Sequence, residues 1–121
     1  MFIPGSICIY LIEAAAVAMW KIGLSLDPLA RLATLQTGSP VPLLLHSFVR
    51  VPAGKAVEVE QAIHERLRFR RKWGEWFALA VRDVRYCQAL MIRVARCYAR
   101  AKWRNSALRL RRQGLPRQFQ L

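Results

Sequence analysis

Two strand-like runs, Ile-Cys-Ile-Tyr-Leu-Ile-Glu at residues 7–13 and Met-Trp-Lys-Ile-Gly-Leu-Ser at 19–25, are separated only by five small residues, 14–18. A hairpin is the economical connection, and an antiparallel pair then becomes the frame on which the rest of the chain must assemble. With the turn centred between Ala15 and Ala16, Tyr10 falls directly across from Lys21, and a four-residue loop keeps that register. Cross-strand neighbours lie roughly 5 Å apart at their β-carbons, which brings the ammonium towards the phenol. The Ala-Ala turn lacks the Gly or Asn that a two-residue hairpin usually carries.

Asp27 reads as a helix N-cap and Pro28 as the first helical residue, with Leu29, Leu32 and Leu35 on one face and Arg31 one turn in. Thr37-Gly38-Ser39-Pro40 stops that helix. Residues 41–51 form an expected third strand, and Pro52-Ala53-Gly54 leads into a second helix over 55–71 whose buried stripe is Ala56, Val59, Ile63 and Leu67. Glu60 and His64 stand four residues apart on the margin of the stripe, where a cleft residue belongs. Gly74-Glu75-Trp76-Phe77 is expected to be an extended segment that docks two aromatics onto the sheet.

Charge divides the chain. Residues 1–81 carry nine Lys or Arg against six acids, and residues 82–121 carry eleven against one, so that the two parts are +3 and +10 of the total +13. Such density points to a polyanion. Arg82, Arg85, Arg93, Arg96, Arg100 and Arg104 fall within about 100° of one another on a helical wheel, while Val84, Cys87, Met91, Val94, Tyr98 and Ala101 take the opposite side. The prediction is one long basic amphipathic helix whose arginines track phosphates. Its apolar face can pack back on the preceding domain, on a partner, or on a second copy as a homodimer. The expected layout is a domain over 1–80, the basic helix over 81–112 and a flexible tail over 113–121. Three cysteines without a CxxC spacing argue against a disulfide framework and a zinc ribbon, and the expected compartment is the reducing cytoplasm. The apolar first 20 residues lack a basic n-region and contain Pro4, Gly5 and Glu13, so buried strand is expected there and no membrane segment.

Singly, these residues have ordinary roles: a strand pair, a solvated arginine, a surface carboxylate. Together they supply what cleavage of a phosphodiester requires, namely a base for water, a cation on the phosphate and a carboxylate for a metal. A tyrosine is almost wholly neutral at pH 7, and lowering its pKa by two units takes about 2.7 kcal/mol, within reach of a close ammonium. Arginine offers a phosphate a planar fork that lysine lacks. A single carboxylate suffices for a magnesium ion that keeps most of its waters.

Cys8-Ile9-Tyr10, Lys21-Ile22-Gly23, Arg31, the run Leu35-Gln36-Thr37-Gly38-Ser39-Pro40, Glu60 with His64, and Gly74-Glu75-Trp76-Phe77 together resemble the GIY-YIG nuclease superfamily over about residues 5–80. The closer resemblance is to its phage-type branch, often found beside Bro-N domains, in which the second motif reads Lys-Ile-Gly. Cys8 stands in place of the first-motif glycine. The resemblance implies an α+β fold, a small three-stranded antiparallel sheet flanked by helices, to which this chain adds its long basic C-terminal helix. It also implies hydrolysis of DNA with one Mg2+ or Mn2+ ion. On that pattern Tyr10 is the general base, Lys21 matches the second-motif tyrosine, Arg31 clamps the phosphate, Glu60 holds the metal, and His64 matches the branch's helix histidine. Two other classes are open to the sequence: a DNA-binding module that keeps the fold without turnover, and a basic helix lying on anionic lipid.

Overall fold

The computed structural model describes residues 5–112, with side chains over 5–100 and at Arg104. The first hairpin is β1, Ser6–Ala14, and β2, Met19–Ser25. Helix α1, Pro28–Thr37, leads to β3, Leu44–Pro52, and then to α2, Ala53–Arg66. Two short strands follow, β4, Arg71–Trp73, and β5, Trp76–Phe77, before the long helix α3, Val81–Arg112. All pairings are antiparallel, in the order β3-β1-β2-β5-β4. The fold is therefore α+β, as expected, but the sheet has five strands and not three. The extra two come from the Gly74-Glu75 turn, with Gly74 at φ +55, a left-handed conformation that glycine takes without steric cost. It folds 71–77 into a narrow ribbon on the β2 edge.

Central strand β1 is buried on both faces, with Cys8, Ile9, Tyr10, Leu11 and Ile12 all within 1% of full burial. On one face Ile9, Leu11, Ile22, Val51 and Phe77 meet the α2 stripe of Ala56, Val59, Ile63 and Leu67. The α2 stripe is the one read from its periodicity, although the helix starts two residues earlier and ends at Arg66. Val84, Cys87 and Met91 of α3 close the same core, and α3 lies across β3. Burial of this kind contributes about 1.5–3 kcal/mol per large side chain. Burial, with help from Asp83, pushes the Cys87 thiol up to about 12, leaving an inert packing group. The boundary expected at residues 80 and 81 coincides with the start of α3, yet the first turns of that helix belong to the domain core. That part of its apolar face is covered by the chain itself and is not free for a second copy. The tail expected over 113–121, and the side chain of Ala101, lie outside the described residues. No helix among those described is long and apolar enough to cross a membrane.

The opposite sheet face carries Tyr10, Ile12, Lys21 and Gly23 and is covered only thinly by α1. Asp27 caps this helix as expected, its carboxylate accepting from the Ala30 amide at 3.2 Å, and Pro28 is buried. The leucine face is less buried than its spacing suggests: Leu29 is 66% exposed, and Leu32 and Leu35 are half-buried. The helix stands off the sheet, and a groove opens beneath its C-terminal half.

Candidate active site

The hairpin does not pair Tyr10 with Lys21. Tyr10 lies opposite Gly23, and Lys21 opposite Ile12. The cause is the loop: residues 15–17 form one 3-10 turn, Ala18 takes a left-handed φ of 53°, and its amide closes on the Ala15 carbonyl at 3.1 Å. The connection is thereby centred one residue later than expected, which slides the register by two. A shift of two keeps every side chain on its face, so Tyr10 and Lys21 still share a surface as diagonal neighbours.

Lys21 is spoken for. Its side chain is buried, and its ammonium donates to Glu75 Oε2 at 2.8 Å and lies 5.7 Å from the centroid of the Trp76 ring. The cation that acts most on the Tyr10 phenol is Arg31, which approaches from α1. The expected lowering of the phenol by Lys21 is not found. Burial raises Tyr10 above the usual tyrosine value, the Arg31 guanidinium pulls it down, and Glu75 and Glu60 push it up. Burial prevails because Tyr10 is only 1% exposed.

Gly23 explains how so large a side chain fits. The Tyr10 ring lies over its α-carbon, and a β-carbon there would sit 2.7 Å from Cζ, directly against the hydroxyl, and 3.2 Å from Glu75 Oε2. The glycine of Lys21-Ile22-Gly23 is thus a packing requirement of the tyrosine opposite, a close approach of the kind that selects glycine within a strand.

Glu60 projects from α2 into the same neighbourhood. Burial raises its carboxyl above the usual range, His64 and Lys21 lower it, and Glu75 raises it. His64, one turn on, is held at both nitrogens: Nε2 lies 3.0 Å from the Ile22 carbonyl, and Nδ1 lies 3.3 Å from an Arg71 nitrogen. A carbonyl only accepts, so Nε2 carries the hydrogen and Nδ1 offers its lone pair to Arg71. The ring also packs on Phe77 at 5.0 Å. These contacts tie α2 to β2 and to the β4 edge, a positioning arrangement, and they leave no ring lone pair free for a metal.

Tyr10, Arg31, Glu60, His64, Lys21 and Glu75 thus come from four elements and the β4–β5 turn into one neighbourhood. Glu75 is the member that residue-by-residue reading missed as a functional group; its signal was the Gly-Glu-Trp-Phe run, read for its aromatics. Among the described residues no three His, Cys, Asp or Glu side chains form a ready-made metal cage. The donor set does fit a weakly coordinated Mg2+. Glu60 is a carboxylate whose charge is disfavoured by burial and by Glu75, and a divalent cation would relieve both while keeping its own waters.

The predicted arginine row is solvent-facing: Arg82, Arg85, Arg93, Arg96, Arg100 and Arg104 are all exposed, opposite the buried Val84, Cys87 and Met91. Asp83, the one acid of α3, is turned inward, capping the Ala80 amide at 2.9 Å and pairing with Arg70 at 3.1 Å. The outward surface of the helix is therefore left without a compensating acid from its own sequence.

Residues 5–92 match the family model of the T5orf172 domain, which covers the whole sheet and the core-packed turns of α3. No curated protein and no solved structure matches the chain.

Proposed function

The chain belongs to the T5orf172 domain family, a phage-associated domain of the endonuclease type, and from that premise we propose that it is a metal-dependent DNA endonuclease or nickase of the GIY-YIG kind. The observation that carries this reading is the convergence of a phenol, a guanidinium and a partly buried carboxylate, Tyr10, Arg31 and Glu60, from β1, α1 and α2. Tyr10, as its phenolate, takes the proton of the attacking water as the water oxygen bonds to phosphorus and the ester oxygen on the far side departs. Arg31, exposed on its helix and near enough for its charge to act on the phenol, receives a phosphate oxygen. Glu60 would hold Mg2+ or Mn2+, which would supply positive charge on the phosphate. Lys21 and Glu75 act as a pair: the lysine neutralises the glutamate, so that only part of its charge bears on Tyr10 and Glu60. His64 fixes the pitch of α2 and hence the position of Glu60. The arginine row of α3 supplies sequence-independent grip on the DNA backbone.

Incubation of supercoiled plasmid with the protein and magnesium should yield relaxed circles. Arg31→Ala and Glu60→Ala should each slow nicking by about 100-fold or more, the loss typical of removing one group that stabilises transition-state charge. Absence of nicking by the wild type, or nicking by both variants at the wild-type rate, overturns the reading. A second reading, a DNA-binding module without turnover, is favoured by one observation: the Tyr10 phenol is buried and held neutral. Salt-sensitive plasmid binding without a metal-dependent product would select it.

A further inference from the structure

Beside the candidate active site, on the same sheet face, lies an apolar groove of about 760 Å³ that the reading above does not use. Its walls include Met19, Leu35, Pro40, Lys72 and the indoles of Trp73 and Trp76. The loop forming one wall is held in place before any ligand arrives: the Gln36 side chain donates to the Val41 carbonyl at 3.0 Å and accepts from the Leu43 amide at 2.8 Å.

Three features together define the occupant. Trp73 is 68% exposed on β4, presented to solvent instead of to the core. Trp76 forms the inner wall, and the same ring lies 5.7 Å from the Lys21 ammonium, so the groove begins where the candidate site ends. The lining contains a lysine and no acid, on a chain of net charge +13. A ligand for such a surface is flat and apolar on its faces and carries negative charge along its edge. An unpaired nucleobase on a phosphate backbone has that chemistry, and base stacking on aromatic side chains does not depend on sequence. A base inside a duplex cannot enter, because its faces are already stacked.

We infer that this groove is a stacking subsite for an unpaired nucleotide next to the scissile phosphate, which makes single-stranded, flapped or distorted DNA the preferred substrate. The inference rests on the nuclease reading for the identity of the neighbouring site, but its test does not use cleavage. In EDTA, the full chain is titrated with an oligothymidylate strand and with a duplex of equal length, following tryptophan fluorescence and affinity. The expected result is tighter single-strand binding with quenching. Trp73→Ala should weaken it about 5- to 150-fold, the equivalent of about 1–3 kcal/mol per stacked base, and change duplex binding by less than about twofold. Trp73→Phe should restore most of the affinity. Because Trp73 is exposed, these variants are expected to fold, and circular dichroism checks it. Equal losses on single strand and duplex, or no loss on either, overturn the inference even if the protein nicks plasmid. A Trp73-dependent dimer in sedimentation would place a second copy in the groove and overturn it as well. A protein that fails to nick yet shows the expected pattern leaves the subsite standing and removes the nuclease reading instead.

Discussion

Replacing Glu60 with glutamine should remove metal-dependent nicking and make the protein more stable at neutral pH. The two effects share one cause. In the folded chain the Glu60 carboxyl is raised above its ordinary value by burial and by the charge of Glu75, only partly offset by His64 and Lys21. A carboxyl whose folded value lies above its unfolded value favours the fold while it is protonated. Its contribution is fully present below about pH 4.5 and is lost as pH rises through the folded value. At pH 7 the ionised Glu60 therefore works against folding, and Glu60→Gln relieves it while keeping size and hydrogen bonding. The melting temperature should rise at pH 7, and the gain should vanish near pH 4. Magnesium should stabilise the wild type by binding the folded state and should leave the variant unmoved. A variant less stable than wild type at pH 7, or one that still responds to magnesium, would contradict this placement of Glu60.

The second large effect is expected at Gly23. An alanine there puts a methyl group 2.7 Å from Tyr10 Cζ, against the hydroxyl, and 3.2 Å from Glu75 Oε2. Tyr10, 1% exposed, cannot give easily, whereas the half-exposed Glu75 can shift a little at some cost to its 2.8 Å bond with Lys21. Overpacking of this kind costs about 1–3 kcal/mol, which lowers the melting temperature by at least about 4 °C. The functional effect should exceed what instability alone explains. Displacing a reacting group by about 1 Å can cost about 100-fold in rate, and nicking by Gly23→Ala should fall by that much at temperatures where the variant remains folded. Normal nicking and an unchanged melting curve would show that Tyr10 does not rest on Gly23.

Much of this arrangement is legible before any coordinates. The span of β2, the Asp27 cap with Pro28 behind it, and the α2 stripe follow from strong local rules, and the structure has them where those rules put them. The exposed arginine row of α3 follows from periodicity in the same way. The hairpin register does not, because five small residues without Gly or Asn leave the turn centre undetermined, and a left-handed alanine decides it. That single choice moves Lys21 away from Tyr10 and gives the phenol to Arg31. The β4–β5 ribbon is hidden for a different reason: β5 is two residues long and its pairing depends on the β2 edge already being present. Glu75 is hidden with it, since its contact with Lys21 spans 54 residues and no local pattern announces it. The leucine spacing of α1 misleads because periodicity reports amphipathic character, and a helix standing over a groove can carry that character half-exposed.

The most direct test of Tyr10 as the base is the pH dependence of plasmid nicking in magnesium. Burial holds the phenol above its ordinary value against the pull of Arg31, so the reactive phenolate is scarce at neutral pH and grows tenfold with each pH unit. The wild-type rate should climb by about tenfold per unit from pH 7 to pH 9, and Tyr10→Phe should be slow and flat over the same range. A wild-type rate independent of pH, or the same rise in Tyr10→Phe, would contradict it.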